Sequence, residues 1–213
     1  MINYKTIQGS GEASYEIQKS RFLIFVQNVT DEEDAQAFIL NKRKLHWEAR
    51  HCCSAYVLGE RGQLQKADDD GEPSGTAGKP ILEVLKKQEL SDIVIVVVRY
   101  FGGIKLGAGG LIRAYGKAAS LGLASSQLVT QTLFRRLDLT IAYTLLGTLE
   151  NYLHQQEIRI EDKSYSDTVT LTLLIPEEAA ATQQEALINL TAAQCHIEQG
   201  DLVYVAIACE PPL

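Results

Sequence analysis

Residues 93–98 form an unbroken run of β-branched apolar side chains, IVIVVV. A run with no polar alternation predicts a strand buried on both faces, in the middle of a sheet. Arg99, Tyr100 and Phe101 follow, then a glycine-rich turn. From Gly109 the apolar spacing becomes helical, with Leu111, Ile112, Tyr115, Ala118, Ala119 and Gly122 on one side. Upstream, residues 13–29 read as two strands around a turn near Lys19 and Ser20. Thr30 or Asp31 then caps a helix that begins with Glu32, Glu33 and Asp34 and ends with Lys42, Arg43 and Lys44, charges that complement its dipole. Ala35, Phe38, Ile39 and Leu45 supply the inward stripe of that helix. Two more strands are expected at 52–58 and 63–67, then a polar loop at 68–79. Pro80 fits the first turn of a helix running to Leu90, with Ile81, Leu82, Val84 and Leu85 inward.

A Gln-, Ser- and Thr-rich joint near 128–134 separates this part from a second one. There Leu137, Leu139, Ile141 and Tyr143 alternate with polar or small residues as a strand, and a helix over 144–156 carries Leu145, Leu146, Leu149, Tyr152 and Leu153 on one face. A hairpin turning at 161–167, a helix opened by Pro176 and a last strand at 202–209 complete the order βαββαβ. That order predicts a ferredoxin-like split βαβ domain. The whole is α+β, with domains at 1–130 and 131–213.

Charge changes this picture more than composition does. The chain of 213 residues has a net charge of −7, but residues 1–130 carry +1 and residues 131–213 carry −8. Between Asp92 and Asp138 there is no acidic residue, while Arg99, Lys105, Arg113, Lys117, Arg135 and Arg136 all fall there. Such a local field suits one phosphate group or a short strand rather than general nucleic-acid binding. No run approaches the length of an apolar membrane span, and the first residues lack the zones of a secretory signal. The cysteines (Cys52, Cys53, Cys195 and Cys209) show no C-x-x-C spacing. A cytoplasmic protein with free thiols is expected, with no membrane contact.

Strand, glycine-rich turn, helix N-terminus and flanking cations together form a candidate anion or RNA site. Its residues are Arg99, Tyr100, Gly102, Gly103, Lys105, Gly107, Gly109, Gly110, Arg113 and Lys117. Arg99, Tyr100 and Phe101 interleave charge with aromatic surface, as stacking platforms for single strands do. The acidic loop supplies accessory candidates in Asp69, Asp70, Glu72, Ser74 and Thr76, with His51 beside them. Its carboxylates are expected to receive Arg99 and Arg113, to be solvated, or to hold a hard cation, the last being the least favoured. Neither nucleotide fingerprint is present: Pro80 replaces the Ser or Thr after Gly78-Lys79, and Ile112 stands where a third glycine belongs after Gly107 and Gly109. His46, His51, Cys52 and Cys53 lack further ligands at finger spacing, so no metal and no cofactor are expected.

RYFGGIKLGAGGLIRAYG, at 99–116, and DDDGEPSGTAGKPILEVL, at 68–85, resemble the two signature blocks of the IMPACT family, also called the YigZ family. The resemblance covers essentially the whole chain. It implies an N-terminal α/β sandwich similar to domain IV of elongation factor G, followed by a ferredoxin-like domain. It also implies a setting in translation and places the His51 region beside the glycine-rich motif. Three functions are weighed on this basis. The first is a translation-associated regulator binding RNA or the ribosome through the basic cleft. The second is an enzyme acting on a small phosphorylated or anionic substrate in that cleft, and the third is an interaction module using the acidic C-terminal domain. Arg99→Ala and Arg113→Ala are expected to weaken anion binding and leave the fold intact. The oligomeric state is left open.

Overall fold

The computed structural model describes residues 2–209. The chain divides into a first unit reaching Gln131, to which the segment from Ala206 returns, and a second unit, Thr132–Val205.

In the first unit, β1 (Tyr4–Gln8) pairs with the start of a later strand, and β2 (Ser10–Ile17) and β3 (Ser20–Asn28) form a hairpin. The hairpin turns through Gln18 and Lys19 at φ of 47° and 63°, the left-handed pair that matches strand twist. Next come α1 (Glu32–Leu45), β4 (His51–Leu58), β5 (Leu64–Asp68), α2 (Gly78–Lys87), β6 (Ile93–Tyr100) and α3 (Gly107–Ala124). The sheet order is β2-β3-β6-β4-β5, antiparallel throughout.

β6 therefore has a strand on each side and helices over both faces, which is what its unbroken apolar run requires. Ile93, Ile95 and Val97 face the core shared with α2 and α3, beside Phe22 and Tyr115. Val94, Val96 and Val98 face the other core, with Phe25, Tyr56 and Ala35 of α1. All six are fully buried. Asp31 caps α1, accepting from the Asp34 N–H at 2.8 Å. Three apolar positions depart from expectation. Leu45 and Ile112 are exposed although they match their helix stripes, and Tyr143 is exposed beyond the end of its strand, which stops at Ile141.

β7 (Gln127–Ile141) is one continuous strand, where the sequence suggests a joint followed by a fresh strand. Val129, Leu133, Leu137, Leu139 and Ile141 keep its inward period, and the Thr and Gln residues between them are compatible with a pleated, half-buried surface. The second unit adds α4 (Leu146–Gln155), β8 (Arg159–Tyr165), β9 (Val169–Pro176), α5 (Ala180–Leu190) and β10 (Cys195–Ala208). Its order is β8-β9-β7 with β10 on the other side of β7, the split βαβ arrangement. The core is aliphatic: Leu137, Leu139, Leu149, Leu153, Leu171, Leu173 and Leu187 among others. Arg135 and Arg136, counted in the basic stretch, bind Glu177 and Glu161 through paired hydrogen bonds. They are neutralised within this unit and add nothing to the cationic site of the first. Among the described residues no helix is long and apolar enough to cross a membrane.

Candidate functional site

The C-terminal end of β6 brings chemistry to one corner of the first unit. Arg99 continues the strand's alternation toward α3 and is 5% exposed. Its Nη1 donates to Glu72 Oε1 at 2.6 Å, and its Nη2 donates to Ser20 Oγ at 3.3 Å. Tyr115 of α3 donates its hydroxyl to the same Glu72 oxygen at 2.9 Å. His51 Nε2 stands 3.9 Å from that oxygen. The guanidinium also lies 5.6 Å from the Phe22 ring centre and 5.5 Å from that of Phe101. Arg99 is thus a buried cation matched by a buried carboxylate, with only Nε lacking a hydrogen-bond partner.

The acidic loop is committed elsewhere. Asp69 Oδ1 accepts from the Ala77 and Gly78 N–H groups, both at 2.9 Å, and Oδ2 from Gly75 N–H at 2.7 Å. Burial would raise the Asp69 carboxyl, but these three donors together hold it below its ordinary range. Asp70 makes a bidentate pair with Arg43 of α1 and accepts from Cys52 N–H at 2.6 Å, while its carbonyl contacts His51 Nδ1 at 3.0 Å. Among the described residues only Glu72 of this loop meets the basic stretch, through Arg99. The expectation that Arg113 would join it is corrected: Arg113 is exposed and reaches back over the first turn of its own helix, where a Cβ on Gly109 would lie 3.6 Å from its Nη1. Thr76 is buried and closes a turn onto the Pro73 carbonyl at 2.6 Å, and Ser74 is exposed.

Cys53 is no nucleophile in this setting. Its Sγ lies 3.0 Å from the Asp69 carbonyl and 3.3 Å from the Tyr115 hydroxyl, and burial drives its pKa far up. Burial likewise pushes the Cys52 thiol up to about 11. Among the described residues no three His, Cys, Asp or Glu side chains are placed to hold a metal ion.

What remains open is a pocket of about 330 Å³ over the start of α3, lined by Glu72, Pro73, Arg99, Phe101, Lys105, Leu106, Gly107, Ala108 and Leu111. Lys105 is exposed there and Phe101 is 41% exposed. The N-terminus of the 18-residue α3 has no side-chain cap, so its first N–H groups remain available. Gly107 turns the chain into the helix at a φ of 69°, and Gly103 takes a φ of 87° before it. Of the residues singled out in the sequence, the pocket gathers Arg99, Glu72, Lys105 and Gly107. Gly109 and Gly110 sit in the first helical turn and Lys117 is exposed further along α3, none of them in the lining. Tyr100 points to the opposite face, its hydroxyl 2.9 Å from His46 Nδ1. Tyr115 and Ser20 were missed as site residues. A tyrosine on an otherwise apolar helix stripe was the available signal, since a buried hydroxyl needs a partner.

Gly102 serves packing. A Cβ there would stand 2.0 Å from the backbone of Lys19, and its N–H donates to Ser20 Oγ at 3.3 Å. Gly102→Ala is expected to cost about 1–3 kcal/mol by overpacking the hairpin against the turn. A denaturation midpoint unchanged from the parent would refute that contact.

These features define a two-unit α+β protein whose first unit carries a pocket over an uncapped helix start. The Impact N-terminal domain model matches residues 18–123, and the Domain of unknown function (DUF1949) model matches residues 139–194. The IMPACT family member YvyE of Bacillus subtilis is 46% identical over 203 residues, covering 95% of this chain and 94% of its own. The IMPACT family member YigZ of Escherichia coli is 38% identical over 194 residues, covering 90% and 92%. A solved structure described as that of an hypothetical protein aligns with a TM-score of 0.61 at 33% identity, over 92% of this chain and 97% of its own. The chain belongs to the IMPACT family.

Proposed function

We propose that the first unit binds the phosphate backbone of RNA, free or ribosomal, at the pocket over α3, in a regulatory role associated with translation. The observation that carries this reading is the convergence of Lys105, the exposed Phe101 ring and the uncapped start of α3 on one cavity, whose wall includes Arg99 already paired with Glu72. Free N–H groups and the helix dipole favour an anion there. The aromatic ring beside them suits a base next to its phosphate. The likeness of such first units to domain IV of elongation factor G, implied by the family, supports a ribosomal setting. Glu72 is held by Arg99 and Tyr115 together, an arrangement that fits positioning better than proton transfer. The acidic second unit carries few cations for neutralising phosphate, which leaves the first unit as the contact.

The test is the anisotropy of a labelled single-stranded RNA titrated with the full chain. Affinity is expected to fall steeply between about 50 and 200 mM salt, and Lys105→Ala to reduce the salt slope by about 0.7, the share of one phosphate contact on a single strand. Lys105 is exposed, so the variant should keep its fold. Affinity indifferent to both salt and Lys105→Ala would overturn the reading.

A further inference from the structure

Opposite the pocket, the same end of the sheet carries a second cluster that nothing in the site above uses. Trp47 follows the C-terminus of α1 and is 77% exposed, with Leu45 at 64% beside it. A ring that remains in solvent contributes little to the core, so packing does not account for it. Its surroundings are cationic. From Lys42 to His51 the chain has four Lys or Arg residues and a single carboxylate, Glu48. Lys42 is engaged by Glu12, and Arg43 by Asp70. Lys44 and Arg50 are exposed and have no ion-pair partner among the described residues.

This cluster is tied to the pocket through Tyr100. The Tyr100 hydroxyl bonds His46, the residue before Trp47, and the Arg21 guanidinium sits 5.1 Å from the Tyr100 ring centre. Arg21 pairs with Tyr100 across the β3–β6 ladder and is itself exposed without an ion-pair partner among the described residues. Phe101, in the pocket lining, is the next residue after Tyr100. Exposed aromatics therefore stand on both sides of the sheet end, with cations that have no ion-pair partner among the described residues at Lys105, Arg21, Lys44 and Arg50.

We propose that a single-stranded RNA crosses this end of the first unit, with one unpaired base stacked on Trp47 and neighbouring phosphates at Lys44, Arg50 and Arg21. The inference rests on the reading that the pocket at Phe101 and Lys105 takes RNA, and it extends that footprint to the α1 side. Aromatic faces interleaved with Lys and Arg are the chemistry that holds single strands without sequence preference. Charge complementarity selects a polyanion, and the flat exposed indole selects one that carries bases.

The chain has one tryptophan, so intrinsic fluorescence reports Trp47 alone. Titrating the full chain with an oligouridine of about a dozen nucleotides at low salt is expected to quench that signal, as a stacked base would. The midpoint should match the anisotropy of the labelled strand. Trp47→Ala is expected to weaken affinity about tenfold with an unchanged circular-dichroism melt. Lys44→Ala with Arg50→Ala should lower the salt slope by about 1.4. Anisotropy that shows binding without quenching, and without an effect of Trp47→Ala, would overturn the Trp47 contact and leave the pocket reading standing. No binding in either measurement would overturn both. Quenching by anionic phospholipid vesicles but not by oligouridine would assign the surface to a membrane and overturn the proposal.

Discussion

Glu72→Ala is expected to destabilise the first unit by about 3–5 kcal/mol, the cost of leaving a buried ionic partner alone. The Glu72 and Arg99 side chains are 4% and 6% exposed, and Tyr115 shares the carboxylate. Removing Glu72 strands a guanidinium whose Nε already lacks a partner, together with a phenol in the core. For a unit of this size the loss corresponds to a fall of roughly 10–20 °C in melting temperature. Replacing both partners with apolar residues, Glu72→Leu with Arg99→Met, should recover most of it, because desolvation of two charges offsets much of their attraction. A single variant that melts within about 1 kcal/mol of the parent would show that the pair is not buried as described. The sequence expectation that Arg99→Ala would leave the fold intact is corrected on the same grounds, because it would orphan the Glu72 carboxylate. Lys105 is the better probe of binding.

Asp69→Ala should be the second large effect, about 2–4 kcal/mol, since one carboxylate satisfies three backbone N–H groups across the loop and the start of α2. This contribution carries a pH signature. The folded carboxyl lies below its ordinary value of 3.8, so its stabilisation is full above that value and is lost as pH falls through the folded value. Urea midpoints of the parent and of Asp69→Asn should therefore differ most near neutral pH and converge in acid. A difference that stays constant into acid would mean that the ionised carboxylate is not what holds the loop.

The corrections share a physical cause. Periodicity and local chemistry are properties of neighbouring residues, and they identified β6, the start of α1 with its cap narrowed to Thr30 or Asp31, the β2–β3 hairpin and the βαββαβ order of the second unit, because each depends on residues a few positions apart. Helix borders were less legible: Leu45 and Ile112 match the stripe, yet burial depends on whether a neighbouring layer extends that far. Destinations of charge were least legible. The acidic loop looked like one cluster, but Asp69 goes to a helix start, Asp70 to Arg43 and Glu72 to Arg99, while Asp68 accepts from the Asp70 N–H.

The amino-acid sequence by itself determined the two-part α+β plan, the central strand and the glycine-rich turn that leads into an exposed helix start, since propensity and spacing act along the chain. Tertiary structure alone decided which cations remain unpaired. Arg99 is neutralised by a residue 27 positions away, Arg135 and Arg136 by partners in the second unit, and Lys105 by none among the described residues. Ion pairing follows separation in space and the water removed around the charges, and neither quantity is written in the order of residues.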